Sequence, residues 1–139
     1  MPDMVLHEVE PAAALTHAAY KAFKIPIGPD EDGQIQSWHP AVSPHCLVIG
    51  GTGSGKTSFQ HTVLTHLAHA HWRVWVLDGK RIEFAGFRDW PNVELVGARV
   101  EHQVRMLHAA HELMEERYSQ LENGTARLED FDPLALIID

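Results

Sequence analysis

The sequence predicts an α/β domain of three layers built on a mainly parallel sheet. The stretch Gly50-Gly51-Thr52-Gly53-Ser54-Gly55-Lys56-Thr57 fits the pattern G-x-x-x-x-G-K-[ST] at every fixed position. It follows the apolar run Cys46-Leu47-Val48-Ile49 and precedes a helical pattern, the strand–loop–helix context of a phosphate-binding loop. Apolar runs then alternate with helix-period segments, and the last run, Leu134-Ala135-Leu136-Ile137-Ile138, ends in the acid Asp139. That order puts a ligand at the C-terminal ends of the strands.

The bulk properties narrow the class. A chain of 139 residues suits one domain with a real core, and 45% hydrophobic residues suit a soluble, globular one. The formal net charge of −8 excludes a generally basic, nucleic-acid-coating surface, though not a local basic patch. The single cysteine, Cys46, allows no intrachain disulfide, which fits a reducing, cytoplasmic setting. Within its strand it reads as a small core residue rather than a nucleophile. No signal peptide and no membrane span are visible in the sequence.

Taken in order, residues 1–9 are expected to be loose, and Pro11 suits a first helical turn. Ala12–Phe23 then reads as a short helix with Leu15, Ala19, Ala22 and Phe23 on its apolar side. Lys24–Gly28 reads as a strand that Pro26 confines to a sheet edge. Pro29–Gly33 is a turn, and Gln34–His39 returns as a second strand. The acidic trio Asp30-Glu31-Asp32 lacks regular ligand spacing, so a solvated loop tip is preferred over a cation site. Pro40–Pro44 connects to the expected central strand His45–Ile49.

Beyond the glycine-rich loop, Phe59, Val63, Leu64, Leu67 and Ala68 recur at helical spacing. Arg73–Leu77 is apolar enough for a buried parallel strand. Residues 81–89 are assigned a short helix and Val93–Val96 a short strand ended by Gly97. Arg99–Glu122 is the longest helix, ended by Asn123-Gly124. Its buried stripe is expected at Val100, Val104, Leu107, Met114, Tyr118 and Leu121, with Glu101, Arg105, Glu112, Glu115 and Glu116 covering the other side.

The loop carries the chemistry. Its glycines let successive N–H groups point inward at phosphate oxygens, and the helix starting near Gly55 adds free N–H groups and its positive dipole end. Candidate nucleotide-binding residues are therefore Gly50, Gly51, Thr52, Gly53, Ser54, Gly55, Lys56, Thr57 and Ser58. Lys56 would reach the β- and γ-phosphates of ATP, and the Thr57 hydroxyl would ligate Mg²⁺. Asp139, at the end of an apolar run, has the form of a Walker B acid that helps hold that Mg²⁺. Lys56 and Asp139 are the candidate catalytic residues. A glycine-rich turn that binds nothing is disfavoured by the complete motif and its flanks.

The chain has 11 histidines. His66/His69 and His108/His111 are i,i+3 pairs on helices, with His71 near the first pair. A metal site would need further converging ligands, and nothing in the sequence shows convergence, so ordinary surface or core histidines are preferred. His111 falls on the expected stripe, where it reads as a hydrogen-bonded core residue.

These residues also resemble a known family. Pro44 to Thr57 looks like the Walker A region of the FtsK/SpoIIIE DNA translocases. Asp78-Gly79-Lys80-Arg81-Ile82-Glu83 resembles the family's D-P-K-x-x-E segment, with Gly79 in place of the usual Pro. Met114-Glu115-Glu116-Arg117-Tyr118 resembles its M-E-x-R-Y segment, and Leu136-Ile137-Ile138-Asp139 the start of its Walker B. Walker A alone is shared by many NTPases, so the other blocks narrow the assignment. The resemblance implies a RecA-like P-loop NTPase core over residues 24–139, truncated after the Walker B strand, with 1–23 as an N-terminal segment. It implies ATP and Mg²⁺ as ligands, double-stranded DNA as cargo and a homo-oligomer, hexameric in the full-length parent. Lys80 either faces phosphate or a neighbouring subunit or lies, with Arg81, in a solvated loop. Arg117 and Tyr118 either carry a family role or form an ordinary helix face, with Tyr118 in the core and Arg117 in water. In the family an acidic residue, usually Glu, follows the Walker B Asp and polarises water. This chain stops at Asp139, so alone it is expected to bind nucleotide weakly and hydrolyse it poorly.

Three other readings compete. A related motor that moves protein fits the acidic charge slightly better, but the D-G-K-x-x-E and M-E-x-R-Y blocks favour the DNA branch. A small-molecule kinase would need an arginine-rich lid, and none is found. A non-catalytic nucleotide-binding or interaction fragment would keep the fold without the chemistry.

Overall fold

The computed structural model describes residues 15–139. Residues 1–9, expected to be loose, and the start of the helix assigned to Ala12–Phe23 lie outside the described residues. The part seen is α1, His17–Ala22, capped by the Thr16 hydroxyl, which accepts from the Ala19 N–H. Leu15, Tyr20 and Phe23 turn its apolar side onto the core, where Tyr20 and Phe23 flank the Trp72 ring.

An antiparallel hairpin follows, with β1 at Ile25–Pro29 and β2 at Ile35–Trp38. Pro26 is tolerated in this two-stranded sheet beside an irregular register step between Pro26 and Gly28. The acidic turn is closed by Asp30, whose carboxylate accepts from the N–H groups of Asp32 and Gln34 and from the Gln36 amide. The bond from the Gln34 N–H does most to hold this carboxyl below the ordinary range. Asp30 thus organises the turn in which it sits.

The main sheet is parallel, in the order β4-β3-β5, with β3 at Arg73–Leu77, β4 at Val93–Gly97 and β5 at Leu134–Ile138. Strand alternation sends Val74, Val76 and Val93 to one face, onto Val63, Leu64 and Leu67 of α2, Lys56–His69. It sends Trp75, Leu77 and Leu95 to the other, onto Met106, Ala109 and Ala110 of α3, Val100–Glu122. Helices on both faces give the three layers that the sequence predicts. Residues 81–89 shrink to one 3₁₀ turn at Ala85–Phe87.

Two expectations are corrected. His45–Ile49 forms no strand, and Cys46, Leu47 and Ile49 are exposed. An apolar run becomes a strand only beside a partner that supplies ladder hydrogen bonds. Among the described residues the sheet is centred on β3, and no strand lies alongside 45–49. Cys46 is therefore not a core residue here.

The stripe on α3 is rotated away from the core. Val100, Val104, Leu107, Met114 and Tyr118 are exposed, whereas His102 and Met106 are buried. The close approach of the α3 N-terminus to β4 decides which face packs. A Cβ at Gly97 would stand 2.4 Å from Met106 Sδ and 3.5 Å from His102 Cβ. His111 is likewise exposed and faces Glu115 at 3.8 Å rather than the core.

Candidate functional site

The glycine-rich loop turns tightly. Gly53 and Gly55 take left-handed φ values of 78° and 88°. The Ser54 N–H donates to the Gly51 carbonyl at 3.1 Å, which folds the loop back on itself. A Cβ at Gly50 would stand 2.2 Å from Ser54 Oγ, so only glycine fits without displacing that side chain. Gly51, Thr52, Gly53, Ser54 and Gly55 are exposed, as is Ser58, while Lys56 and Thr57 are half-buried.

Gly55 caps α2 with no side-chain hydrogen bond. The first-turn N–H groups of a helix have no intrahelical acceptor, so this end presents donors and positive dipole to the space above the loop. Phe59 N–H, the first to close the helical ladder, reaches the Gly55 carbonyl at 2.9 Å.

Lys56 does not extend into solvent. Its Nζ donates to Asp139 Oδ1 at 2.8 Å, joining the helix after the loop to the end of β5. The Asp139 N–H donates to the Leu77 carbonyl at 3.0 Å, which fixes this residue beside the end of β3. Gln60, one helical turn beyond Lys56, donates from Nε2 to the same Oδ1 at 3.2 Å. The Lys56 bond is the main reason the Asp139 carboxyl lies below the ordinary range. Burial opposes it, and Gln60 and the Lys56 and Lys80 charges support it. Asp139 Oδ2 and Gln60 Oε1 are buried without a hydrogen-bond partner. Two acceptors left over beside a lysine and a helix N-terminus fit a hydrated cation and the phosphates it accompanies.

The D-G-K-x-x-E block is built around a buried acid. Asp78, at the end of β3, is 1% exposed, and its Oδ2 accepts from the Phe84 N–H at 3.1 Å. That bond folds residues 78–84 into a tight loop, with Arg81 at a left-handed φ of 70°. Lys80 Nζ lies 3.7 Å from Glu83, and the Glu83 carbonyl accepts from His61 Nε2 at 2.6 Å. A Cβ at Gly79 would stand 3.0 Å from the Asp139 carbonyl, so the loop runs hard against the end of β5. Asp78 organises the loop, and Lys80 rims the site.

The M-E-x-R-Y block is reversed from the plain helix-face expectation. Arg117 is half-buried, donates to the Asp132 carbonyl at 2.9 Å and lies over the Phe131 ring at 5.2 Å. Tyr118 is exposed. Arg117 therefore ties α3 to the segment that leads into β5. Nearby, burial pushes the Glu94 carboxyl up. The hydrogen bonds from Arg73 and Trp75 and the Arg73 charge outweigh it and hold it below the ordinary range.

The histidine pairs do not converge. His66 and His69 each turn back to a carbonyl of their own helix, at Thr62 and Thr65. His61 carries more of the architecture, packing edge-on against Phe84 and Phe87. Neither His61 nor Gln60 stands out in the sequence, because their partners are loop and strand residues far along the chain.

Comparison with known proteins identifies the relatives. The FtsK/SpoIIIE family profile matches residues 10–134. The DNA translocase FtsK of Tropheryma whipplei (strain TW08/27) is 31% identical over 112 residues, covering 76% of this chain. That of Lactococcus lactis subsp. cremoris (strain MG1363) is 30% identical over 103 residues, covering 70% of this chain. The chain spans 15% and 14% of the lengths of these two relatives. Among solved structures, the cytoplasmic domain of EssC matches in fold with a TM-score of 0.61 and 20% identity, over 83% of this chain and 24% of that one.

Proposed function

The chain belongs to the FtsK/SpoIIIE family, and from that premise we propose that it is the ATP-binding part of an ATP-driven motor that moves double-stranded DNA. The observation that carries the reading is the 2.8 Å contact between Lys56 and Asp139, which brings the phosphate loop and the end of β5 into one site. In this reading Gly50–Thr57 and Ser58 cradle the nucleotide phosphates with backbone N–H groups. Thr57 and Asp139 hold Mg²⁺, and Lys56 leaves Asp139 to meet the β- and γ-phosphates. Magnesium, when bound, neutralises charge on the phosphates and on the leaving oxygen. Lys56 would add positive charge beside the same phosphates, and Asp139, itself an anion, would act only through the cation it holds.

A homo-oligomeric ring, hexameric in the longer protein, and a cytoplasmic location belong to the same reading. No helix among the described residues is long and apolar enough to cross a membrane. The net charge of −8 means that DNA contact must come from local groups rather than from the overall field.

Calorimetric titration with ATP in the presence and absence of Mg²⁺ tests the core of the proposal. The 139-residue chain is expected to bind Mg²⁺·ATP. Lys56→Ala is expected to weaken that binding by more than about tenfold, because a charge-assisted hydrogen bond to phosphate is lost. Binding unaffected by the substitution would remove Lys56 from the phosphate site. Duplex DNA that neither binds the assembled protein nor accelerates its ATP turnover would leave the nucleotide site standing and sink the DNA assignment, favouring protein cargo.

A further inference from the structure

We propose that Gln60 is a positioning residue of the cation site, holding the Asp139 carboxylate in place when Lys56 swings to phosphate and accepting a hydrogen bond from the cation's water shell. This rests on the nucleotide reading above and adds a residue to it.

The geometry fixes the orientation of the amide. Asp139 Oδ1 is an acceptor, so the Gln60 atom at 3.2 Å from it must be the donor Nε2. The Gln60 carbonyl oxygen, Oε1, therefore faces away from that carboxylate oxygen, and it is buried without a partner. A buried acceptor left unpaired is destabilising, and Asp139 Oδ2 is left in the same condition. Two orphaned acceptors in one hydrogen-bonded cluster call for a ligand that brings donors. A hydrated divalent cation would do so: Asp139 would hold it, and Gln60 would accept from its water shell.

Helix geometry makes Gln60 the natural second anchor. Lys56 and Gln60 are i and i+4 on α2, so their side chains meet Asp139 from successive turns of one face. Lys56 and Gln60 are the side chains that donate to Oδ1. Once Lys56 turns to phosphate, Gln60 keeps Oδ1 occupied and Oδ2 aimed into the site. A neutral amide can do this without competing for phosphate, which a second lysine would. Outer groups that orient a metal ligand commonly change metal affinity about 10–100-fold when removed.

The test uses the full chain and a fluorescent ATP analogue, titrated once with excess EDTA and once with Mg²⁺. The ratio of the two affinities is the gain due to the metal. Gln60→Met keeps length and packing but has no amide, and Gln60→Asn keeps the amide but falls one methylene short. Both are expected to cut the Mg²⁺-dependent gain about tenfold more than they change metal-free binding. The metal-free titration also reports that each variant is folded. Equal losses in both titrations would make Gln60 a merely structural residue and overturn the proposal, as would an unchanged gain in either folded variant. If the unsubstituted chain shows no Mg²⁺-dependent binding, the nucleotide reading fails and this inference falls with it.

Discussion

Lys56→Met is expected to lower the stability of the nucleotide-free chain by about 3 kcal/mol near neutral pH, because it strands a buried carboxylate. The Asp139 side chain is 1% exposed and that of Lys56 25%, so the anion, rather than the cation, depends on the pair. With Lys56 present, its hydrogen bond holds the Asp139 carboxyl below the ordinary value of 3.8. Its contribution to stability is then present above that value and is lost as the pH falls through the depressed folded-state value. Without Lys56 the largest influence that lowers the carboxyl is gone, and burial opposes the Gln60 bond and the Lys80 charge that remain. The difference between the variant and the unsubstituted chain is therefore full near neutral pH and shrinks as the pH falls below 3.8 through the depressed folded-state value. Adding Asp139→Asn to Lys56→Met should recover most of the loss, since a neutral amide replaces the stranded charge. Urea unfolding of the single and double variants across this pH range measures both effects. A cost independent of pH, or no recovery in the double variant, would show that the loss does not come from a stranded Asp139 carboxylate.

The same pair shapes how the site meets its ligand. Lys56 stands over the end of β5, held by Asp139. In the proposed function phosphate would compete with that carboxylate for Lys56, and Asp139 would be left with two open oxygens unless Gln60 stayed on one of them. Phosphate binding and cation binding would then be linked through the Lys56 side chain.

What the sequence made legible follows from range. The glycine-rich loop, α2 and β3 are written in local patterns, and the structure places Val63, Leu64, Leu67, Val74 and Val76 in one core as the periodicity requires. The strand expected at His45–Ile49 depends on a neighbour, which local apolarity does not reveal. The α3 stripe failed for a related reason. Val100, Val104, Leu107 and Met114 repeat at helical spacing, but so do His102, Met106, Ala109 and Ala110. A polar residue and two alanines score poorly as a core face, yet small side chains let a helix lie close to the strands, and Gly97 leaves room for Met106. Gln60 was silent because its partner lies 79 residues away and its chemistry appears only when that carboxylate arrives.

Phe84→Ala is expected to have the largest effect on folding of any substitution near the site, about 3–5 kcal/mol. Phe84 is 0% exposed and belongs to the cluster that joins α2 to β3 and β4. Its ring meets His61 edge-on at 5.3 Å, and its N–H closes the Asp78 loop at 3.1 Å. Truncation leaves a cavity where the loop is pinned to the core, and the Asp78 bond alone cannot keep the loop there. Ile82 provides the internal control. It is an apolar residue of the same loop but 76% exposed, so Ile82→Ala should fall within about 0.5 kcal/mol of the unsubstituted chain. Denaturant unfolding compares the two. Because Gly79 abuts the Asp139 carbonyl, loosening at Phe84 should also reach the site. Amide exchange over residues 78–90 is expected to speed up in Phe84→Ala and not in Ile82→Ala. A loss below about 1 kcal/mol for Phe84→Ala, with unchanged exchange, would mean that Asp78 and the strand ends hold the loop without the aromatic anchor.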